Sequence, residues 1–171
     1  MKRLYVLRHA KSSRSEPGLE DEARPLNGRG RRAGALLAGY CREQGVRPSL
    51  VLCSTAERAR QTLELILPSL GDRVRVIHDA RLYGTSTEGI LATLRAVGDA
   101  ERVVMVVGHN PDLHGLVVLL AGRGESDALA RARAAFPTGA LATLDVSCRT
   151  WRALGPGSCS LAAFVVPKEL G

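Results

Sequence analysis

Long hydrophobic runs are missing from this sequence of 171 residues. The longest are six to eight residues, whereas a helix that spans a bilayer needs about 20. The N-terminal Met1-Lys2-Arg3-Leu4 predicts the start of a strand instead of a signal peptide, because polar residues follow within a few positions. We therefore expect a cytoplasmic protein that does not engage a membrane.

Closely spaced cysteines are also missing. No CxxC pair is present, and without a signal peptide the thiols are expected to be reduced. A zinc site needs ligands in close pairs, which this sequence does not offer. The four cysteines are Cys41, Cys53, Cys148 and Cys159.

Aromatic residues are scarce, at 4% of the chain. The net charge of +7 would suit a nucleic-acid partner. However, the basic residues are spread along the chain, and few rings are available to stack on bases. We therefore predict that the protein does not bind nucleic acid.

The sequence does contain an alternation of short apolar runs with amphipathic segments. The runs at residues 3–8, 50–53, 74–77 and 102–107 predict strands, and the first, second and fourth have the composition of strands buried on both faces. The segments between them repeat apolar residues at helical spacing. This order predicts an α/β fold in three layers, with a mostly parallel central sheet and helices on both faces, in one domain over residues 1–171.

The remaining segments have less regular patterns. Residues 10–27 are polar and predict a loop, and Ser54-Thr55-Ala56-Glu57 predicts a capping box that opens a helix. Residues 123–135, rich in arginine and alanine, are predicted to be mobile or helical. Three short strands that would form an antiparallel edge are predicted at 139–146, 150–153 and 161–166.

Two of the four histidines directly follow the two most apolar runs. His9 comes after residues 3–8, and His109 comes after Gly108 at the end of the fourth run. Ligands of open α/β sheets bind at the carboxyl ends of the strands, so neighbouring strands would bring both imidazoles to one edge. His78 and His114 lack this setting and are predicted to be structural or exposed.

Two arginines are placed to complete an anion site. Arg8 precedes His9, and Arg58 falls in the first turn of the helix predicted after residues 50–53. A helix N-terminus attracts anions, and a guanidinium matches phosphate oxygens with paired donors. Together with the two histidines, these arginines predict a phosphate site.

Three motifs resemble those of the histidine phosphatase (phosphoglycerate mutase-like) superfamily. They are LRHAKS at residues 7–12, STAERARQT at 54–62 and VGHN at 107–110. Two more segments, DEARPLNGRG at 21–30 and FPTGAL at 136–141, are similar to the narrower group of SixA phosphohistidine phosphatases. The resemblance covers nearly the whole chain and implies a phosphoglycerate mutase-like fold.

The resemblance implies that His9 is the nucleophile and forms a transient phosphohistidine. Arg8, Arg58 and His109 would complete a positive pocket around the transferred phosphoryl group. Because an unperturbed histidine has a pKa of about 6.5, its neutral, nucleophilic form is abundant at neutral pH. The scheme requires no metal and no other cofactor.

Further site residues are less clearly defined. Ser12 and Asn110 could also donate to the phosphate, although turn or cap chemistry explains them equally well. Larger family members protonate an alcohol leaving group with a carboxylate, and Glu88 lies in the corresponding interval. An acidic residue at a helix start is the simpler interpretation of Glu88. A chain without a placed acid suits a phosphoramidate, whose nitrogen leaving group is readily protonated.

We therefore predict a phosphatase that acts on a protein phosphohistidine through a His9 phosphoenzyme. The alternatives are a phosphomonoesterase of a small phosphorylated molecule and, from another class, a non-catalytic phosphate-binding module. A mutase fits less well, because the chain is short for the insertions that would enclose a bisphosphate. The depth of the pocket depends on residues 11–24 and 123–137, and the oligomeric state is left open.

Overall fold

A single mixed sheet forms the centre of the computed structural model, which describes residues 1–14 and 16–171. Ser15, inside the predicted loop 10–27, lies outside the described residues. The order of the strands across the sheet is β3-β2-β4-β1-β6-β7-β5. In chain order, the strands are β1 (Lys2–Arg8), β2 (Leu50–Cys53), β3 (Arg75–His78), β4 (Val103–Gly108), β5 (Ala121–Gly124), β6 (Leu141–Val146) and β7 (Cys159–Val165).

Helices cover both faces of this sheet. Parallel pairs join β1 to β4, β4 to β2, β2 to β3 and β5 to β7, and only β6 runs against its neighbours. The predicted three-layer α/β fold with a mostly parallel sheet is confirmed. Within the described ranges, no helix is long and apolar enough to cross a membrane. The helices are α1 (Gly28–Glu43), α2 (Glu57–Ile66), α3 (Thr87–Arg95), α4 (Asp112–Leu120) and α5 (Ser126–Ala134).

Strand β1 lies in the middle of the sheet and is buried on both sides. Leu4 and Val6 pack into a cluster with apolar residues of α3, α4 and α5. Tyr5 and Leu7 point the other way, into a cluster formed with α1 and α2. Alternate side chains of a strand face opposite sides, so the continuous apolar run of β1 follows from its central position.

The C-terminal part of the chain departs from the predictions. Residues 150–153 do not form a strand, because Trp151–Ala153 make a 3₁₀ turn that buries the Trp151 ring completely. The indole N–H donates to the carbonyl of Glu101 at 2.7 Å, which anchors the turn. β6 and β7 are antiparallel as expected, but the edge strand is β5, which runs parallel to β7. The helical alternative for residues 123–135 is correct over α5.

The loop after β1 is tied tightly to the start of α1. Asn27 accepts the Gly30 N–H at 2.9 Å through its side chain and donates its own N–H to the Lys11 carbonyl at 3.0 Å. A Cβ atom on Gly30 would lie 2.0 Å from that Lys11 oxygen. Only glycine therefore allows this close approach, which fixes the residues that follow His9.

We expect Gly30→Ala to destabilise the fold by about 1–3 kcal/mol, as is usual for overpacking. Gly39→Ala is the matched control in the same helix, because its Cβ would meet nothing closer than a flexible Arg42 nitrogen at 4.0 Å. In that control, the free energy of unfolding should rise by about 0.5–1 kcal/mol, because alanine has a higher helix propensity than glycine. Urea unfolding measures both, and equal stabilities for the two variants would contradict the packing described.

Candidate active site

The register between β1 and β4 brings the two predicted histidines together. Arg8 lies opposite Gly108 in this parallel pair, so His9 and His109 leave neighbouring strands at the same level. Their ring centroids are 5.1 Å apart and their planes are tilted by 54°. The expectation that these strands are neighbours is confirmed.

A cavity of about 520 Å³ opens at this edge of the sheet. All the residues predicted for the phosphate site line it, including the less certain Ser12 and Asn110. Glu88 is not among the lining residues, because it is exposed in the first turn of α3. The lining carries more positive than negative charge, with carboxylates from Asp21 and Asp112 and cations from Arg8, Lys11, Arg14, Arg24 and Arg58.

The His9 ring is held so that one nitrogen remains available. Its Nδ1 lies 2.7 Å from the carbonyl oxygen of Ala10. A carbonyl only accepts, so Nδ1 carries the proton and the neutral ring keeps its lone pair on Nε2. The Ala10 N–H donates to Thr62 Oγ1 at 3.0 Å, and that hydroxyl donates to the Arg58 carbonyl at 2.7 Å. Helix α2 therefore fixes the segment that orients the imidazole.

Both histidines are uncharged at neutral pH. Burial lowers the pKa of His9 to about 3, and the charges of the surrounding arginines act in the same direction, against the hydrogen bond to Ala10. Burial, followed by the Arg58 guanidinium, lowers the pKa of His109 to about 4. A neutral imidazole is the nucleophilic form, so the surroundings favour the form of His9 that a nucleophile requires.

Ser54 holds His109 instead of capping α2. Its hydroxyl lies 2.8 Å from His109 Nε2 and accepts the Ala56 N–H at 3.2 Å. The predicted capping box is therefore wrong, because α2 begins after Ala56 without a side-chain cap. The reason is the end of β2, where the Ser54 N–H donates to the Val107 carbonyl and brings the hydroxyl beside His109.

The two predicted arginines present unpaired donors. Arg8 Nε and Arg58 Nε are both buried without a hydrogen-bond partner in the described part of the chain. Arg8 is held by its Nη1, which donates to the Phe136 carbonyl at 3.2 Å. A buried guanidinium N–H without an acceptor is costly, and such groups in native proteins point to a bound ligand or water. Phosphate oxygens would satisfy them.

Asp21 anchors Arg58 and was not predicted as a site residue. Arg58 Nη1 donates to the Asp21 carbonyl at 2.7 Å, and Nη2 donates to its carboxylate at 3.1 Å. The hydroxyl of Tyr83 donates to the same carboxylate at 2.6 Å. These bonds, first from Tyr83 and then from Arg24 and Arg58, hold the pKa of Asp21 far below its usual range. Asp21 is thus a permanent anion that cannot act as a proton donor.

Asp112 is the second unpredicted carboxylate of the cavity. It is the first residue of α4, close behind His109. Burial raises the pKa of its carboxyl group. Of the acidic residues in the lining, Asp112 is therefore better suited than Asp21 to carry a proton.

The less certain site residues have partners of their own. Ser12 Oγ accepts from Arg24 Nη1 at 3.0 Å, and Arg24 also pairs with Asp21, so it both lines the cavity and braces the loop. The Asn110 amide donates to the Phe136 carbonyl at 2.7 Å, while its buried Oδ1 has no partner within the described ranges. Lys11, Ser12, Arg14, Asp21 and Arg24, from the loop after β1, thus form one wall of the cavity. From the segment 123–137, the Phe136 carbonyl accepts hydrogen bonds from Arg8 and Asn110.

The chain belongs to the histidine phosphatase superfamily (branch 1), whose family model matches residues 4–89. It is a phosphatase, as the motifs predicted. An uncharacterized protein of Mycobacterium tuberculosis is 37% identical to it over 95% of this chain and 100% of the relative.

Two solved structures share its fold over nearly their full lengths. A candidate phosphohistidine phosphatase SixA from Agrobacterium tumefaciens is 30% identical, with a TM-score of 0.80 over 97% of this chain and 98% of the other. A candidate SixA from Nakamurella multipartita is 28% identical, with a TM-score of 0.83 over 97% and 96% of the two chains. The predicted likeness to SixA is confirmed.

We expect His9 and His109 to titrate at about pH 3 and about pH 4 in the phosphate-free protein, against about 6.5 for an unperturbed histidine. The measurement is a pH titration of the ring Cε1–H signals by NMR, assigned with His9→Asn and His109→Asn. Midpoints near the unperturbed value for both rings would contradict the described burial.

The same shifts predict how stability depends on pH. Between about pH 6.5 and about pH 4, the unfolded chain binds protons at these two positions and the folded chain does not. The free energy of unfolding should therefore fall on acidification, by up to about 1.4 kcal/mol per pH unit for each histidine.

Proposed function

We propose that this phosphatase removes the phosphoryl group from a phosphohistidine of a protein, through a covalent intermediate on His9. One observation carries the proposal: His9, with its lone pair on Nε2, lines the same cavity as Arg8 and Arg58, whose buried Nε donors have no partner among the described residues. The first group can attack phosphorus, and the other two can hold the oxygens of the same phosphoryl group. We also propose that residues 1–171 act as one domain, in the cytoplasm.

In the first step, the Nε2 lone pair of His9 attacks phosphorus and the bond from phosphorus to the substrate imidazole breaks. Arg8, Arg58 and His109 surround the phosphoryl oxygens and stabilise the charge that spreads over them. The new phosphorylated ring carries its remaining proton on Nδ1, where the Ala10 carbonyl accepts it. The hydrogen bond from His9 Nδ1 to the Ala10 carbonyl is therefore present in both the free enzyme and the intermediate.

The leaving group requires little assistance from the protein. A phosphorylated imidazole with a proton on its other ring nitrogen departs as neutral imidazole, so no acid is needed while the P–N bond breaks. An alcohol would instead leave as an alkoxide unless a side chain protonated it. The permanently ionised Asp21 cannot do this, which favours a phosphoramidate substrate.

In the second step, a water molecule attacks the phosphorus of the intermediate and the bond to His9 Nε2 breaks. Inorganic phosphate leaves with the oxygen of the water, and one proton of the water passes to that phosphate or to the solvent. His9 returns to its neutral form with the proton on Nδ1. The low pKa of His9 favours this return, because the buried ring does not retain an extra proton.

The comparisons support a protein substrate. Both SixA structures described above are named as candidate phosphohistidine phosphatases and align with nearly all of this chain. The segments 21–30 and 136–141, which resemble SixA, both border the cavity through Asp21, Arg24 and Thr138. This chain and the SixA proteins therefore resemble each other in a wall of the cavity, as we expect if they share a class of substrate.

Asp112 favours a second candidate function, the hydrolysis of a small phosphate monoester. Its carboxyl group lines the cavity, and burial raises its pKa. A protonated carboxyl at this position could supply the proton that an alcohol leaving group needs. This candidate ranks second because it requires Asp112 to be protonated during turnover.

We expect His9→Ala to abolish the phosphoenzyme and to lower kcat by about three orders of magnitude or more. His78→Ala is the matched control, since this imidazole is exposed at the end of β3. The intermediate is detected after an alkaline quench, which preserves phosphohistidine, by phosphate-affinity electrophoresis. Normal turnover by His9→Ala would refute the assignment of the nucleophile.

Carboxylate variants separate the two candidate functions. With a phosphohistidine peptide, Asp112→Asn should turn over like the wild type, because the leaving imidazole needs no acid. With glycerol 3-phosphate, the kcat of Asp112→Asn should be about 10²-fold or more below that of the wild type, because the variant lacks the general acid. Glu88→Gln is the control for removing a carboxylate outside the cavity. A wild-type preference for the ester, lost in Asp112→Asn, would establish the monoesterase instead.

A further inference from the structure

A second cavity, of about 510 Å³, adjoins the catalytic cavity. The two share Lys11 and Thr138 in their linings, so one continuous surface leads from the phosphate site to the N-terminal half of α1 and the segment after β7. We call this second cavity the basic groove. The residues that define it here are Lys11, Arg29, Arg32, Leu36, Pro137 and Lys168.

The cations of the basic groove are unpaired. Lys11, Arg29, Arg32 and Lys168 are exposed, and none has an ion pair or side-chain hydrogen bond with a described residue. No acidic side chain lines the groove in the described part of the chain. Glu169, the neighbour of Lys168 in the sequence, pairs with Arg131 instead. The side chains that line the groove therefore carry a net positive charge.

The floor of the basic groove is aliphatic. Ala33 and Leu36 of α1 are half-buried and border this groove. Val166 and Pro167 complete the floor from the segment after β7. No aromatic ring lines it among the residues described. Such a surface suits aliphatic side chains and backbone, and it offers nothing on which a base could stack.

The groove is fixed in place relative to the catalytic cavity. Gly30 packs directly on the Lys11 carbonyl, which locks α1 against the loop after His9. On the other wall, a Cβ on Gly139 would lie 2.6 Å from the Pro167 side chain, so the Gly139 backbone packs closely against the Pro167 ring. A ligand that enters both cavities therefore meets a preformed surface, with little ordering cost on the side of the enzyme.

We propose that the basic groove binds an extended acidic segment of the same protein whose phosphohistidine occupies the catalytic cavity. This proposal rests on the proposed function. An extended chain advances about 3.3 Å per residue, so a few residues on one side of the phosphohistidine reach from one cavity into the next. Their carboxylates pair with the free cations, and their aliphatic side chains lie on the floor.

The test compares two synthetic peptides, each phosphorylated on a single histidine. One has flanks of alternating Asp and Leu, and the other has Asn in place of every Asp. At low ionic strength, the wild type should show a kcat/KM about tenfold higher for the acidic peptide, as expected for a few exposed ion pairs. Added salt should reduce this ratio.

The variant Arg29→Glu/Arg32→Glu should bring the ratio to one or below. The matched control is Arg149→Glu/Arg152→Glu, an equal charge change on exposed arginines beyond Val146. Val146 pairs with Lys2 at the start of β1, so this control lies at the opposite end of the sheet from the site. The control should keep the wild-type ratio. Urea unfolding verifies that both variants are folded.

The outcomes separate the two proposals. Equal turnover of the two peptides by the wild type would refute the proposed role of the basic groove and leave the proposed function intact. A preference for the acidic peptide that survives in Arg29→Glu/Arg32→Glu would do the same. No turnover of either peptide, with turnover of glycerol 3-phosphate, would overturn the proposed function itself. A single-stranded RNA that inhibits more strongly than the unphosphorylated acidic peptide at equal charge would identify the groove as a nucleic-acid surface instead.

Discussion

The parallel register between β1 and β4 determines where the reactive groups of this enzyme lie. With Arg8 opposite Gly108, the next residue on each strand is a histidine, and the rings stand 5.1 Å apart. A shift of one residue would turn every side chain of β1 to the other face of the sheet, away from the cluster in which it packs, so these packing contacts oppose the shift. The core of the protein and the alignment of the site are thus maintained by the same contacts.

The electrostatics of the site depend on the same burial. Removal from water lowers the pKa of His9 and His109, and the charges of the surrounding arginines add to this effect, so both rings stay neutral. Asp21 balances part of the positive charge and holds Arg58 by its Nη atoms, which leaves Nε for a ligand. The free enzyme therefore carries unsatisfied donors that a phosphoryl group would satisfy.

Much of the fold and the centre of the site were predictable because their signals are local. A strand buried on both faces must be apolar throughout, and the residue after it lies at the sheet edge where ligands bind, so β1, β4 and the two histidines stand out. The partner of Asp21, Tyr83, is 62 residues away and depends on the path of two loops. Ser54 carried a misleading local signal, since its tertiary contact with His109 replaced the predicted cap. β5, with the sequence AGRG, has no apolar pattern that would mark it as a strand.

The central position of β1 also governs when the site comes into being during synthesis. β1 leaves the ribosome well before its two neighbours, which are Val103–Gly108 and Leu141–Val146. Until those segments emerge, β1 has two open edges and an apolar surface on each side, which is the condition in which nascent chains associate wrongly. The cavity therefore cannot be complete before residues 103–138 have been synthesised, because His109, Asn110 and Thr138 line it.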